Sequence, residues 1–409
     1  MDSKTIWIIN QYASTPEAGM GGRHYHMARE LAKQGHRVCL IAAGYTHLLR
    51  NLPEINQSYL LEHIEGFDFL WLKMPFYSDA HSKKRILNWI LFSRKLCRLG
   101  TILEDKPDAV LCSSPSLISF LGAERLARRF DARLIFEVRD IWPLTFVELG
   151  GFSLSHPFIR FLQWIEDRAY RRSDRVVSNL KNSVDHMVSR GLDRKKFSWI
   201  PNGFSLDEVE QNQDLPESVL SRIPRDKFII GYTGTIGVAN ALDTLIDVAC
   251  RLENCPDIVF VLVGGGREKE RLKKMVDKNR LENVIFIDPI SKNQIQTMLS
   301  LFDVCFIGLT DDPLFRFGVS PNKLFDYFYA GKPVLYAINS GSYTPVSDAG
   351  AGLQIPAVDP QSMEKAVLQL YRMAEEDLKK LGDCGRSYVL ENHEYSALAQ
   401  KLAHILVGE

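Results

Sequence analysis

The chain has no net charge to speak of. Fifty Lys and Arg are balanced by fifty Asp and Glu, so no global field draws it to nucleic acid. Its seven cysteines are scattered, with no CxxC pair. Cys39, Cys112 and Cys305 sit in apolar surroundings, which reads as reduced core thiols of a cytosolic protein. No apolar run approaches the roughly 20 residues of a membrane span. No GxGxxG fingerprint, repeat or low-complexity segment occurs. The chain runs directly into an apolar strand, Thr5-Ile6-Trp7-Ile8-Ile9, with no signal-peptide pattern before it.

What is present is an αβ series. Hydrophobic content of 45% and charge of 24% suit a globular protein, and 409 residues exceed one core, so two domains are expected. Short apolar runs at 5–9, 37–42, 68–72, 108–112, 133–138, 175–178 and 197–200 alternate with helical patterns. A second set lies at 228–233, 258–263, 284–287, 303–307 and 334–336. Continuous apolar runs between amphipathic helices indicate parallel sheets covered on both faces. The turn cluster Pro201-Asn202-Gly203 marks the boundary. The expected class is α/β, with two doubly wound Rossmann-like domains facing across a cleft and ligands at the carboxyl ends of the strands. The last helical pattern, about 386–405, lies beyond the second sheet.

The most informative stretch is Ser320–Val334. Ser320 is placed as a helix cap and Pro321 in the first turn. Gly331 stops the helix and Pro333 blocks its continuation into a strand. The amides of a helix start, Asn322 among them, together with Lys323 suit a phosphate. Asp326, one turn further on, suits a ribose diol.

Three further loops follow strands. Gly19-Met20-Gly21-Gly22-Arg23-His24 opens a helix over about 22–34, and Gly21 and Gly22 allow close backbone approach to a ligand. His24 and His26, two apart on a helix, point to different faces, so a metal pair is disfavoured. Phe136-Glu137-Val138-Arg139-Asp140-Ile141-Trp142-Pro143 puts charges where a buried strand ends. There Arg139 and Asp140 either face ligand or brace the loop as a salt bridge. Gly231-Tyr232-Thr233-Gly234-Thr235-Ile236-Gly237-Val238-Ala239-Asn240 is another strand and glycine loop able to hold phosphate oxygens, through Gly234, Thr235 and Asn240. Val263-Gly264-Gly265-Gly266 is read as structural.

Over nearly its whole length the chain resembles the family-4 glycosyltransferases of GT-B fold, whose nucleotide-sugar helix has the form PxKxxEYxAxGxPV. The Arg139-Asp140-Ile141-Trp142-Pro143 and Gly234–Asn240 motifs are similar to those of the L-fucosaminyltransferase-like enzymes of O-antigen and capsule synthesis. The resemblance implies an acceptor domain over 1–202, a donor domain over 203–385, and a segment 386–409 returning to the first domain. It implies transfer of an N-acetylated, 6-deoxy hexosamine from a UDP-sugar to a polyprenyl-diphosphate-linked saccharide. The enzyme would work without a cofactor or metal, at the cytoplasmic face of the inner membrane. Asp326 would hold the ribose and Ile290 the base through its backbone. Asp140 or His24 would orient or deprotonate the acceptor, with Arg139 at the donor sugar. Two departures from the pattern stand out. The Arg and Lys that often follow the second glycine loop are missing, so Lys323 or Arg316 would neutralise the leaving phosphate. Eight residues before Asp326 the usual acid is Gly318, unless Asp311 or Asp312 reaches in. Rival readings are a sugar-nucleotide epimerase of the same fold and a non-catalytic scaffold.

Residues 81–99 form a basic amphipathic segment. Ile86, Trp89, Ile90, Leu96 and Cys97 share one arc. Lys83, Lys84, Arg94, Lys95 and Arg98 share another with Leu87 and Leu91. This is either a helix touching anionic lipid or an ordinary packed helix.

Overall fold

The protein, seen in a computed structural model, is described over residues 3–78 and 83–408. It divides into two units. One comprises residues up to Asn202 together with those from Tyr395 onward, and the other Gly203–Glu394.

The first unit holds an eight-stranded sheet in the order β3-β4-β2-β1-β5-β6-β7-β8. Its strands are β1 (Thr5–Ile9), β2 (Arg37–Ala43), β3 (Tyr59–Ile64), β4 (Phe67–Leu72), β5 (Ala109–Ser113), β6 (Arg133–Val138), β7 (Arg175–Ser178) and β8 (Phe197–Trp199). Every residue of β1 and β5 is buried, as parallel strands covered on both faces must be. β3 departs from the expected all-parallel sheet. It pairs antiparallel with β4 through Glu65 and Gly66, both at positive φ (45° and 88°), as a tight two-residue hairpin requires.

α1 (Arg23–Lys33) follows β1, α2 (Lys83–Leu96) follows β4, α3 (Ser119–Phe130) follows β5 and α4 (Pro157–Arg172) lies between β6 and β7. α2 packs on α3, and α3 on α4. The crossovers through α2, α3 and α4 run in the opposite sense along the sheet to that through α1, so right-handed connections place α1 on the other face.

The second unit carries a parallel six-stranded sheet in the order β11-β10-β9-β12-β13-β14. Its strands are β9 (Phe228–Thr233), β10 (Ile258–Val263), β11 (Val284–Ile287), β12 (Val304–Gly308), β13 (Val334–Ala337) and β14 (Gly352–Ile355). α5 (Asn322–Tyr329) connects β12 to β13, and α6 (Glu375–Asn392) packs against it.

Two expectations shift here. The returning segment starts at Tyr395, not at 386: α6 stays in the second unit to Asn392, and only α7 (Tyr395–Val407) joins the first, packing on α1. The break is fixed by His393, whose ring stacks on Phe325 at 4.5 Å and whose carbonyl accepts the Phe204 amide at 3.0 Å. Pro321 precedes α5 rather than sitting in its first turn. Its φ of −71° and ψ of 123° are extended, while its carbonyl accepts the Leu324 amide.

Candidate functional site

In the second unit α5 starts beside the loop after β9. Lys323 Nζ donates to the Tyr232 hydroxyl at 2.8 Å and to Asn240 Oδ1 at 3.3 Å, and sits over the Tyr232 ring at 4.2 Å. It has no carboxylate partner among the described residues. Burial pulls the amine down to about 8. The Gly234 position lies against it, since a Cβ there would come within 3.0 Å of Nζ. Gly234 itself needs its φ of 135°, which a side chain would resist. The Thr235 carbonyl accepts from the Tyr232 hydroxyl at 2.6 Å and from Asn240 Nδ2 at 2.9 Å, and the Thr235 amide is not engaged within the described protein. So Gly234, Thr235, Asn240, Asn322 and Lys323 gather at one place. A lysine of depressed pKa without a carboxylate partner, beside helix-start amides, is an arrangement able to hold an anion. Gly264 and Gly266 pack against this loop, since a Cβ at Gly264 would strike the Gly234 carbonyl at 1.9 Å and one at Gly266 the Ile236 carbonyl at 2.2 Å.

Asp326 lies one turn along α5, half-buried, and burial pushes its carboxyl up to about 6, with Lys292 opposing and Glu208 adding. It lines a small cavity with Gln296 and the Lys292–Glu208 ion pair. Ile290 is half-buried, with neither its amide nor its carbonyl engaged by the described protein. Ser320 and Pro321 are half-buried where the chain enters α5. Arg316 is not brought to Lys323: its side chain is exposed, lies over Phe317 at 4.4 Å and bonds the Pro313 carbonyl. The two acids offered for the missing carboxylate each have a partner within the second unit. Asp312 accepts the Leu314 amide at 2.8 Å, Asp311 takes Asn339 at 2.8 Å, and Gly318 is a buried turn residue at φ 94°.

In the first unit the glycine loop leads to a cluster that sequence reasoning missed. Glu137, near the end of β6 and 1% exposed, accepts Arg23 Nε at 2.9 Å, His24 Nε2 at 2.7 Å and the Ser113 hydroxyl at 2.6 Å. Arg23 also donates to the Ile200 carbonyl at 3.1 Å and to that of Pro201. Burial alone would raise the Glu137 carboxyl, but Arg23, His24 and Arg139 outweigh it and hold it well below the usual carboxylate range. Burial pulls His24 down against the opposing effect of Glu137, so the ring is neutral. Because a carboxylate only accepts, the proton of the neutral ring is on Nε2, facing Glu137. Gly21 and Gly22 lead into α1 at φ 62° and 85°.

Arg139 and Asp140 follow Glu137. They form no salt bridge with each other among the described residues, so the loop is not braced that way. Asp140 is exposed. Arg139 is half-buried, its amide donates to Ser114 Oγ at 2.9 Å, and its Nε is buried without a hydrogen-bond partner. The missed signal was a lone acid inside an apolar strand, which must find a buried partner. Glu137 finds it in Arg23, more than a hundred residues earlier.

Of segment 81–99, Lys83–Leu96 forms α2, while Cys97 and Arg98, expected on the helix, lie in the turn beyond its end. His81 and Ser82 lie outside the described residues, as does the Lys83 side chain. Trp89, Phe92 and Leu96 are buried, whereas Ile90, expected on the same arc, is 41% exposed and Leu87 52%. No described helix is long and apolar enough to cross a membrane.

Residues 18–203 match the family described as Glycosyl transferase 4-like domain, and 217–388 the Glycosyl transferases group 1. The chain is 25% identical over 369 residues to an Escherichia coli protein called putative colanic acid biosynthesis glycosyl transferase WcaI, covering 86% of this chain and 88% of that one. It is 26% identical over 210 residues to a Bacillus subtilis protein called putative teichuronic acid biosynthesis glycosyltransferase TuaH, half of each chain. Among solved structures, a sucrose-phosphate synthase from Thermosynechococcus elongatus superposes with a TM-score of 0.72 at 15% identity over 98% of each chain. An Anabaena protein, HepE, in complex with UDP and glucose superposes at 0.66 and 14%, covering 99% of this chain and all of that one.

Proposed function

Because the chain belongs to the GT-B glycosyltransferases, with a glycosyl transferase 4-like first half and a group 1 second half, we propose that it moves an N-acetylated, 6-deoxy hexosamine from a UDP-sugar to a lipid-diphosphate-linked saccharide in surface-polysaccharide synthesis. The observation that carries the donor half is Lys323, a lysine without a carboxylate partner held against the Gly234 loop. Charge develops on the leaving diphosphate during glycosyl transfer, and a fixed cation with preorganised amides stabilises it most where water is excluded. Lys323 does this without a metal, aided by the Thr235 and Asn322 amides. Asp326 takes the ribose hydroxyls and the Ile290 backbone the base. In the first unit Arg139 serves the sugar, and Asp140 or His24 Nδ1 receives the acceptor proton. The names of two relatives, for colanic and teichuronic acid biosynthesis, support the polymer context. HepE, solved with UDP, supports the choice of nucleotide.

Calorimetric titration with UDP, GDP, ADP and dTDP tests this. A free lysine titrating near 8 must be protonated to hold a diphosphate. UDP affinity should therefore fall about tenfold from pH 7 to pH 9, and Lys323→Met should bind weakly with no such dependence. Unchanged affinity in that variant, or preference for another nucleotide, overturns the donor assignment. Conversion of the UDP-sugar without an acceptor would replace transfer with epimerisation.

A further inference from the structure

The neutral chain concentrates positive charge on one face. α2, α3 and α4 carry twelve basic residues and three acidic ones in their sequences, and all three carboxylates are already engaged. Glu124 is buried and bonded twice by Arg168, at 2.7 and 2.9 Å. Glu166 is buried and accepts the Tyr170 hydroxyl at 2.8 Å. Asp167 is held by Arg190 at 2.9 and 2.8 Å. Arg125, Arg128 and Arg129, spaced to share the outer side of α3, are exposed and have no acidic partner among the described residues. They line an open cavity of about 590 Å³ whose far wall is Trp164 and Arg168 of α4.

Exposed apolar groups accompany this charge. Trp164 is 48% exposed and Phe161 41%, their rings stacked at 6.1 Å and 19°. Leu87 and Ile90 of α2 add to them. A site for a small soluble anion has no need of exposed indole and phenyl rings. Arginines that take phosphate beside aromatics that settle at the head-group level are what an anionic bilayer surface requires.

We propose that this face of the first unit docks on an anionic lipid bilayer, with α3 and α4 at its centre and α2 at its flank. Head-group phosphates would enter the cavity beside Arg125, Arg128 and Arg129, while Trp164, Phe161, Leu87 and Ile90 reach the glycerol level. The proposal rests on the lipid-linked acceptor read above only for its purpose, since vesicle binding requires neither donor nor acceptor.

Flotation of the full chain with phosphatidylcholine vesicles, with and without phosphatidylglycerol, tests it. Binding is expected only with phosphatidylglycerol and should be lost at 1 M salt, where the Debye length is about 3 Å. Arg125→Glu/Arg128→Glu/Arg129→Glu should weaken the partition about a hundredfold or more, with unchanged melting temperature and UDP affinity. Should that variant not fold, Arg125→Gln/Arg128→Gln serves, with a loss of about tenfold or more. Trp164→Ala should also weaken binding, and the blue shift of emission on vesicles should be absent in Trp164→Phe. Failure of the wild type to float overturns the proposal, as does a folded α3 variant that floats like wild type. It also falls if dextran sulfate is bound as well as vesicles and Trp164→Ala changes neither, because the face would then be a soluble-polyanion site.

Discussion

Asp326 is a carboxylate in a place that does not suit its charge. Burial lifts it to about 6, so in the folded protein it ionises only above that pH, whereas in the unfolded chain it ionises near 3.8. Its ionised form therefore costs stability, and the cost accrues as pH rises from about 4 to above 6, on the order of 2–3 kcal/mol. Asp326→Asn should accordingly raise the unfolding free energy at pH 8 and leave it nearly unchanged at pH 4. The same change should weaken UDP about ten- to a hundredfold, because the charge-assisted bonds to the ribose proposed for this carboxylate would be lost. Denaturant melts at the two pH values and calorimetry check both halves; a variant destabilised at pH 8 would show that the carboxylate is satisfied within the unbound protein. Lys323 and Asp326 were legible in the sequence because turn, helix and glycine stop fix their spacing on one short helix. Glu137 was not, because its meaning depends on Arg23 and His24, and no local pattern links β6 to the start of α1.

At the scale of the element, α1 is tied to β6 by that buried cluster as much as by its apolar side. Breaking a buried ion pair leaves the partner charge unsolvated, at a loss of about 3–5 kcal/mol, and an isosteric amide recovers part of it. Glu137→Gln should thus lower stability by about 2–4 kcal/mol in denaturant melts, and His24, without its carboxylate, should become still harder to protonate. A loss below about 0.5 kcal/mol would mean that the backbone carbonyls of Ile200 and Pro201 alone satisfy Arg23. The strands with continuous apolar runs were legible nearly to the residue. β3 and β14 were not. β3 is a half-buried edge strand turned by Glu65-Gly66, and β14 is four residues without a fully buried position. α2 was legible as an amphipathic helix, but α3 decides which of its apolar residues are covered, so Ile90 stays outside.

For the whole molecule, the last fifteen residues complete the first unit. Tyr395, Leu398, Ala399, Leu402, Ala403 and Leu406 are buried in its core, and a fully buried large side chain contributes about 1.5–3 kcal/mol. Ending the chain after Glu394 should expose α1, lower the first unit's melting transition and open it to proteolysis. UDP should still bind and protect the second unit, by about 2.7 kcal/mol at a hundred times its dissociation constant. Unaltered melting of the shortened chain would show that α7 is a surface addition.

The sequence by itself determined two α/β series, the turn between them, the helix that bears Lys323 and Asp326, and the glycine loops. All of these are local patterns of burial, capping and positive φ. Only the tertiary structure decided that Lys323 meets Gly234 and Asn240, that Glu137 is held by Arg23, that the return begins at Tyr395, and that three helices merge into one basic face. Each of those depends on groups far apart in the chain, and the energy that joins them, desolvation against a specific partner, exists only once the fold has brought them together.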